Sequence, residues 1–363
     1  MKLRHAIFTL LAIVVALSPL TIKANPFEYK WQQLAPDVWA AIREDAFELP
    51  QEGNAVFVVT DQGVVLFDAG GSPLMGESIV AKVKSVTDKP ITHVVISHWH
   101  ADHMRGLQSI ISAFPQARVY THPHSREMIE STQDRWLKRR VSMVPNIRKG
   151  LANALATNTD LQGRPLIKEE KAWLLTGQSI LDQLDAENNR TAYVVPTITF
   201  ADQMTLFMGG KEIRFMYLGD AHTSGDLIMW LPKEKVVATG DIVTAPIPLM
   251  PSPYMDQYVG VLAKLKALGF TSLVPGHGQV QHNADYIDLL AETITTVSKQ
   301  MKVLVAQGLN EKDATAKIDY SSVATRFTRG DPFLKNRFAD YVVGALAHTA
   351  YLIETGKKPE ETF

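Results

Sequence analysis

Four residues of the types that bind metal ions lie close together in the first third of the chain. They stand in the run SHWHADH and are His98, His100, Asp102 and His103. A buried aspartate or charged histidine without a partner costs several kcal/mol, so the four cannot all be ordinary core residues. In an extended segment, His98 and His100 point the same way, and Asp102 and His103 turn toward a second point nearby. The spacing therefore predicts a site for two metal ions, and the alternative is a solvated polar loop.

Three more candidate ligands follow later in the chain, each in a loop that contains glycine. They are His222, Asp241 and His277. Glycine permits tight turns and a close approach of the backbone to a metal ion or substrate. Alone, each is a weak signal, because a histidine in a run such as PGHG is more often a turn residue than a ligand. In this order after the first cluster, the three predict the rest of one metal site.

The residue types define the metals that such a site would hold. All seven candidates are imidazole or carboxylate groups, which suit zinc, iron or manganese. The chain has no cysteine, which excludes thiolate ligands, disulfides and a lipid-modified N-terminal cysteine. Zinc is the default expectation because it needs no redox chemistry. The cofactor prediction is therefore two Zn²⁺ ions, with iron and manganese left open.

The candidate ligands follow predicted strands in a chain where strands and helices alternate. The strands are predicted at 38–43, 55–60, 63–67, 92–97, 119–121, 197–200, 204–208, 212–217, 227–231, 235–239 and 271–274. The helices are predicted at 74–87, 106–114 and 256–268, and from about 282 to the end, including 334–355. Loops beyond strand ends commonly carry the functional residues of α/β folds. The fold class is therefore α/β with a helical tail.

The segment from about 125 to 195 has few strand signals and many charged and helix-forming residues. A structureless loop of that length is unusual inside a compact domain, so we expect a helical insertion that covers or flanks the metal cleft. Its candidates for substrate contact are Trp136, Met143, Trp173 and Tyr193. For any one of them, ordinary packing of the insertion on the body is the commoner role.

The first 24 residues have the pattern of an export signal. Lys2 and Arg4 precede an apolar run at about 6–17, and Ala24 offers a cleavage site. That run is short for a permanent membrane helix, and an uncleaved anchor or a buried first helix are the alternatives. Cleavage predicts a periplasmic or secreted protein without stable membrane association. The formal net charge of -1 gives no reason to expect nucleic acid as a partner, so a small-molecule substrate is expected.

Residues from about 35 to 290 resemble the metallo-β-lactamase superfamily of hydrolases. The resemblance rests on the order of the motifs, which begins with Asp68 at the end of an early predicted strand. The His-x-His-x-Asp-His run follows, and then His222, Asp241 and His277. This set is specific for the fold and the dinuclear site, and it says little about the substrate.

The resemblance implies a domain organisation and a role for each site residue. It implies a four-layer αββα sandwich. Together with the sequence patterns, it predicts a domain of this fold over 25–295 with a helical insertion at about 125–195, and a helical C-terminal extension over 296–363. One ion would be held by three histidines, namely His98, His100 and His222. The other would be held by Asp102, His103 and His277. Asp241 would bridge the ions opposite a hydroxide, Asp68 would orient a ligand histidine, and Asp102 or the second ion would assist the leaving group.

The resemblance implies a hydrolase in which a zinc-bound hydroxide attacks the carbonyl of a lactam, lactone, ester or thioester. The chain lacks the cysteine that one β-lactamase type places near the Asp241 position, and it has the bridging aspartate that another subclass lacks. A general carbonyl hydrolase, similar to glyoxalase-II-like thioesterases and lactonases, is therefore favoured over a dedicated β-lactamase. After the Asp-His pair, many members continue with small residues and paired glycines, whereas this chain has Met104-Arg105-Gly106. Arg105 would face solvent or an anionic substrate group, with solvent favoured.

Two alternatives from other functional classes remain open at this stage. Persulfide dioxygenases of the same fold use a single iron ion with a similar motif. A non-catalytic metal-binding protein with a vestigial site is the other alternative, although all seven ligand positions are filled. The metal content of the purified protein and its oxygen uptake with a persulfide would separate these classes.

Overall fold

The computed structural model describes residues 27–45, 47–250, 254–357 and 359. The predicted signal segment, residues 1–24, lies outside the described residues. Within the described ranges, none of the helices combines the length and the hydrophobicity needed to cross a membrane. The domain boundary placed between residues 295 and 296 stays a prediction.

The first sheet has seven strands, in the same order in space as in the sequence. They are β1 Lys30–Ala35, β2 Val38–Ile42, β3 Ala55–Thr60, β4 Gly63–Phe67, β5 Ile91–Val95, β6 Arg118–Thr121 and β7 Ile198–Thr199. Pairing is antiparallel from β1 to β4 and parallel from β4 to β7. Every residue of β3 and β4 is buried, as expected for apolar strands covered on both faces.

The second sheet has five strands in the order β12-β11-β10-β9-β8. They are β8 Gln203–Met208, β9 Lys211–Tyr217, β10 Leu227–Leu231, β11 Val236–Ala238 and β12 Ser272–Val274. Only the β11–β12 pairing within this sheet is parallel. That parallel pair matters for function because both strands end at the same edge, where two of the candidate ligands follow them.

The described part of the chain contains eleven α-helices. The first five are α1 Pro73–Val86, α2 Ala101–Met104, α3 Leu107–Ala113, α4 Pro123–Thr157 and α5 Lys168–Arg190. The others are α6 Met255–Ala267, α7 Asp285–Ala306, α8 Glu311–Thr315, α9 Ser321–Thr328, α10 Pro332–Phe338 and α11 Ala345–Glu354. A 3₁₀ turn covers Gly240–Ile242, and a π-helical turn covers Ala339–Gly344. Helix α1 begins sharply because the Ser72 side chain accepts a hydrogen bond from the Met75 amide.

Three apolar layers show that the sheets form a sandwich between helices. The middle layer joins the facing sides of the two sheets, where the rings of Phe67 and Phe215 stack with centroids 6.3 Å apart. One outer layer packs α1 and α3 on the first sheet through residues such as Ile79 and Leu107. The other packs α6 and α7 on the second sheet through residues such as Leu262 and Ile294. The predicted four-layer αββα fold is confirmed.

The region between β6 and β7 consists of the two long helices α4 and α5, which pack against each other through a small apolar cluster. Arg164, in the connection between them, pairs with Asp340 of the π-helical turn at 2.8 Å. The Trp173 indole donates a hydrogen bond to the Phe47 carbonyl at 2.7 Å. Through these contacts, the helical pair is tied both to the C-terminal helices and to the loop that precedes β3.

Two differences from the predicted elements have clear physical reasons. Strand β1 was not predicted, because its residues are largely exposed at the sheet edge and lack an apolar alternation. The strand predicted to continue to residue 97 ends at Val95. The Ser97 amide donates instead to the Asp68 carboxylate at 2.7 Å, so a side chain replaces the neighbouring strand as its acceptor. Ser97 and the residues after it are thereby released into the loop.

Candidate metal centre

The seven candidate ligands converge at one edge of the sandwich, where loops follow the ends of strands. His98 to His103 come after β5, and His222 lies in the turn between β9 and β10. Asp241 lies in the 3₁₀ turn after β11, and His277 follows β12. Because β11 and β12 are parallel neighbours, their following loops meet at this edge. The fold thus brings together residues that are up to 179 positions apart in the sequence (98 to 277).

The first group of potential ligand atoms belongs to four buried residues within 4.8 Å of one another, namely His98, His100, His222 and Asp241. Nε2 of His222 lies 3.0 Å from Nδ1 of His100. The Oδ2 atom of Asp241 lies 3.8 Å from Nε2 of His98 and 3.5 Å from Nε2 of His222. Three imidazoles and one carboxylate oxygen therefore point at a common centre.

The second group consists of Asp102, His103, Asp241 and His277, again with ligand atoms within 4.8 Å of one another. Nε2 of His277 lies 2.9 Å from Oδ2 of Asp102. The Oδ1 atom of Asp241 lies 3.1 Å from Nε2 of His103 and 3.5 Å from Nε2 of His277. Asp241 therefore turns one carboxylate oxygen toward each group, which is the geometry of a bridging ligand.

Unsatisfied buried atoms show that these residues fit metal ions. Within the described residues, Nε2 of His98, His103 and His277 and Oδ1 of Asp241 are buried and make no hydrogen bond of good geometry, although several of them lie within 3.5 Å of one another. Buried polar atoms without partners are costly, and a group of them aimed at two points is explained by cations at those points. Nitrogen and oxygen donors without sulfur suit zinc, iron or manganese.

The charges within the cluster favour the metal-binding forms of its carboxylates. Burial alone raises the pKa of Asp102 and Asp241, but neighbouring histidines outweigh it, and the pKa of each carboxyl is held below its usual value. His103 and His277 are the principal cause for both carboxyls. Burial, followed by the effect of His222, lowers the pKa of His100 to about 3. At neutral pH the carboxylates are ionised and His100 is neutral, as metal ligation requires.

The other histidines respond to burial and carboxylates in different proportions. Burial, together with neighbouring His103, lowers the pKa of His98. Burial alone would lower the pKa of His103, but Asp241, Asp102 and Asp68 outweigh burial, so the pKa of His103 is raised. The same balance raises the pKa of His277. Positive charge in the second group is therefore stabilised by carboxylates.

Asp68 lies beside the second group without belonging to it. Its Oδ2 lies 2.9 Å from Nδ1 of His103, and its Oδ1 accepts the Ser97 amide. The Ser97 hydroxyl donates to Oδ2 of Asp68 at 2.8 Å and lies 2.9 Å from Nδ1 of His98. Asp68 and Ser97 thus orient one imidazole of each group. Sequence analysis singled out Asp68 for such a role and missed Ser97, whose position beside His98 was the available signal.

The loop before β3 contacts the backbone around His277 and Asp102 of the second group. The sequence patterns did not predict this role. The Asn54 side chain donates to the carbonyls of Pro275 and Gly278, at 2.8 and 3.0 Å, on either side of His277. Its oxygen accepts the Arg43 amide at 2.6 Å. The Gly53 amide donates to the Asp102 carbonyl at 3.1 Å. The run EGN, at residues 52–54, carries no spacing that links it to the ligands.

Glu52 is a buried carboxyl group next to this loop. Its Oε2 accepts the Gly71 amide at 2.5 Å. Burial, reinforced by the negative charge of Asp102 and opposed by Arg43, raises the pKa of Glu52 to about 7. Glu52 is therefore a proton-binding group close to the second metal group, and nothing in the sequence pattern distinguishes it from a surface acid.

Two glycines are required by the close packing at the centre. A Cβ atom at Gly276 would lie 1.9 Å from Oδ1 of Asp241. A Cβ atom at Gly53 would lie 2.5 Å from Cε1 of His103. Both distances are far below van der Waals contact, so any larger residue would displace a ligand. This agrees with the expectation that glycine beside His277 allows close approach.

The candidate substrate contacts in the helical insertion have different surroundings. Trp136 and Tyr193 lie next to each other, with ring centroids 5.1 Å apart. Trp173 packs against Arg337 of the C-terminal helices instead, 4.7 Å from its guanidinium carbon. Met143 is half-buried on α4.

The favoured solvent-facing orientation of Arg105 is wrong. The side chain is half-buried, and its guanidinium carbon lies 4.2 Å from the ring centroid of Trp136. Tyr193 is a second neighbour, close enough to interact electrostatically with the guanidinium group. The insertion supplies both aromatic partners, which lie too far along the chain for the sequence around Arg105 to reveal them.

Comparison with known protein families gives a match over most of the chain. The model of the metallo-beta-lactamase superfamily matches residues 49–277. This range includes Asp68 and all seven candidate ligands. It excludes the C-terminal helices from α7 onward.

Two curated relatives illustrate the range of activities among similar proteins. A linear primary-alkylsulfatase from Pseudomonas sp. (strain ATCC 19151) is 21% identical over 310 residues, which are 81% of this chain and 54% of that protein. Metallo-beta-lactamase IND-1 from Chryseobacterium indologenes is 22% identical over 247 residues, which are 65% of this chain and 78% of that protein. The chain thus spans about half the length of the alkylsulfatase.

Solved structures show the same two kinds of neighbour. The stereoselective inverting sec-alkylsulfatase Pisa1 from Pseudomonas sp. superposes with a TM-score of 0.57 and 14% identity, over 90% of this chain and 50% of that one. A metallo-beta-lactamase from Pontibacter korlensis superposes with a TM-score of 0.50 and 16% identity, over 74% of this chain and 99% of that one. At these identities, the likeness shows a shared fold.

Proposed function

The chain belongs to the metallo-β-lactamase superfamily, and from this premise we propose that it is a hydrolase of small molecules that works with two zinc ions. The observation that carries the proposal is the position of Asp241, which presents one oxygen to each of two ligand groups. A carboxylate shared in this way fits a pair of ions that act on one substrate. When bound, two such ions supply an activated water and polarise the oxygen of the bond to be cleaved.

The protein's own residues provide orientation and proton handling in this proposal. Asp68 and Ser97 fix the imidazoles of His103 and His98, so that their Nε2 atoms keep their direction. Asp102 is the most exposed of the ligands, with 29% of its side chain accessible. It is ionised at neutral pH because His103 and His277 outweigh its burial. Because Asp102 is also the most accessible ligand, we propose that it assists the leaving group.

The proposed substrate has a carbonyl carbon as the point of attack, in a lactam, lactone, ester or thioester. The ligand set without sulfur and with a bridging aspartate supports a general carbonyl hydrolase. We also propose export to the periplasm or beyond the cell, on the strength of the predicted signal segment. A small molecule, and no nucleic acid, is the expected partner.

Sulfate esters are a second candidate class, and one observation favours them. The alkylsulfatase relatives cover 81% and 90% of this chain, whereas the two β-lactamases cover 65% and 74%. The similarity to the alkylsulfatases therefore extends further beyond residues 49–277, the range that the family model matches. A sulfate ester is cleaved by the same kind of site when water attacks sulfur or carbon in place of a carbonyl.

The test combines metal analysis with a substrate panel. The purified protein should contain two zinc ions per chain and should hydrolyse at least one of a set of β-lactams, lactones, esters, thioesters and alkyl sulfates. His100→Ala and Asp102→Ala should abolish turnover and keep the fold, as judged by circular dichroism. His282→Ala is the matched control, because His282 is exposed and outside both ligand groups.

Three results would overturn the proposal. One is wild-type turnover by His100→Ala. Another is a single iron ion with oxygen uptake in the presence of a persulfide, which would indicate a dioxygenase. The third is a protein that binds no metal and whose melting temperature does not change with added zinc, which would indicate a non-catalytic role.

A further inference from the structure

Arg105 is the C-terminal cap residue of α2, the short helix that carries Asp102 and His103. Its guanidinium carbon lies 4.2 Å from the ring centroid of Trp136, and Tyr193 is a second close neighbour of the guanidinium group. The rings of Trp136 and Tyr193 are in contact with each other. We call these three residues the Arg105 wall. They join the metal-binding loop to the helical insertion.

Arg105 is a half-buried cation whose neighbouring carboxylates also interact with other groups. The groups that act on it electrostatically are the Tyr193 hydroxyl, which is neutral, and then the carboxylates of Asp102 and Glu52. Both carboxylates have other tasks, since Asp102 belongs to a ligand group and Glu52 accepts the Gly71 amide. The Nε atom of Arg105 is buried without a hydrogen-bond partner in the described part of the chain. Burying such a cation costs free energy unless an anion pairs with it.

We propose that the Arg105 wall binds a negatively charged oxygen group of the substrate, at a point separate from the bond that is hydrolysed. The substrate class is thus narrowed to small molecules that carry a carboxylate or a sulfonate-like group beside the scissile bond. This narrowing rests on the proposed function, whereas the anion site itself does not.

The geometry of the wall suits such a group. Trp136 lies against the guanidinium group, with its ring centroid 4.2 Å from the guanidinium carbon. A guanidinium group carries its N–H groups in one plane, and a carboxylate or sulfonate in that plane can accept two parallel hydrogen bonds. Trp136 itself is only 9% exposed, so the approach is at the guanidinium edge and not over the ring.

The competing explanation is that Arg105 only packs the insertion onto the body of the protein. Under that explanation, removing the charge would alter stability without discriminating between anionic and neutral ligands. The decisive quantity is therefore the contribution of a second negative charge on the ligand, measured with and without Arg105.

The probes are dicarboxylates from succinate to adipate, each paired with its monoamide. One carboxylate of either member can occupy the metal centre, and only the dicarboxylate offers a second charge. Isothermal titration calorimetry of the metal-loaded protein should show at least one pair in which the dicarboxylate binds about tenfold to a hundredfold more tightly. 4-Sulfobutyrate in place of glutarate distinguishes a general oxyanion site from a carboxylate-selective one.

Three variants complete the comparison. Arg105→Gln should abolish the difference between the members of that pair, and Arg105→Lys should restore part of it. Arg148→Gln is the matched control, because Arg148 is an exposed arginine of α4 that pairs with Asp182 on α5. It should keep the full difference. Tyr193→Phe, which removes only the hydroxyl next to Arg105, should reduce the difference and serves if Arg105→Gln does not fold.

The proposal is overturned if wild-type protein binds every dicarboxylate and its monoamide equally, or if Arg105→Gln and Arg148→Gln retain the same difference. These readouts do not depend on turnover. A protein that hydrolyses nothing yet shows the Arg105-dependent difference would refute the proposed function and leave the anion site standing. A hydrolase that lacks the difference would refute the anion site and leave the proposed function standing.

Discussion

Oδ2 of Asp68 lies 2.9 Å from Nδ1 of His103, and on the far side of that ring Nε2 lies 3.1 Å from Asp241. A ring held by its Nδ1 atom can turn its Nε2 atom only toward the second ligand group. The same Asp68 carboxylate accepts the amide and the hydroxyl of Ser97. Asp68 therefore determines the direction of a ligand although it is not one itself.

Replacing Asp68 by alanine should weaken binding of the second metal ion about tenfold to a hundredfold, because the His103 ring loses its fixed orientation. Binding of the first ion should change less, since Ser97 still lies beside His98. Competition with a chromogenic chelator measures both affinities. Asp61→Ala is the control, because Asp61 is 82% exposed and remote from the ligand groups. Equal loss of both ions would contradict the assignment of Asp68 to the second group.

Removing the metal ions should destabilise the protein. Without cations, buried ligand atoms such as Nε2 of His98 make no hydrogen bond, and the carboxylates of Asp102 and Asp241 both lie near Nε2 of His277 with no metal ion between them. A ligand present at a hundredfold excess over its dissociation constant stabilises the folded state by about 2.7 kcal/mol. Thermal unfolding after dialysis against EDTA should show a lower Tm that returns with added zinc. An unchanged Tm would argue against a preformed metal centre.

Asn54→Ala should lower the free energy of unfolding by about 2–3 kcal/mol, because two buried carbonyls and one buried amide lose their partner. The loop around His277 should also loosen, which would weaken the second metal site in particular. Urea denaturation and chelator competition measure the two effects. Asn153→Ala on the exposed face of α4 is the control. A variant with lowered stability but unaltered metal affinity would limit Asn54 to a structural role.

The metal ligands could be predicted because their signal is local. The run SHWHADH brings four ligand types together within a few residues, and glycine marks the later loops. The buried strands β3 and β4 were equally clear, since they are almost wholly apolar and every residue is buried. In both cases, the information lies within a single turn or strand.

The supporting residues could not be predicted because they act over long distances in the chain. Asn54 contacts Pro275, which is 221 residues away. The orientation of Arg105 is set by Trp136 and Tyr193, on an insertion whose placement no local pattern specifies. Such contacts arise only when the two sheets and the insertion have packed.

Glu52→Gln should change how the stability of the metal-free protein depends on pH. Burial, aided by Asp102, raises the pKa of Glu52 from 4.5 to about 7. Between these values, the folded state binds more protons at this position than the unfolded state does. The contribution of Glu52 to stability is therefore complete below about pH 4.5 and is lost as the pH rises toward 7. Glutamine cannot ionise and can still accept the hydrogen bond from the Gly71 amide. The variant should therefore not lose this stability contribution as the pH rises.

Urea denaturation in EDTA between pH 5 and pH 8 measures the effect, since bound cations would themselves favour the ionised carboxylate. At pH 8 the variant should be more stable than the wild type by about 1–3 kcal/mol, and at pH 5 the difference should be small. Other groups of the centre also titrate in this range, but they are common to both proteins and cancel in the comparison. Glu127→Gln, at an exposed position of α4, should follow the wild type at every pH. Parallel curves for Glu52→Gln and the wild type would contradict this prediction, because they would show that Glu52 is already ionised in the folded protein. A compensating positive charge, such as Arg43 or Arg105, would then lie closer to Glu52 than its burial suggests.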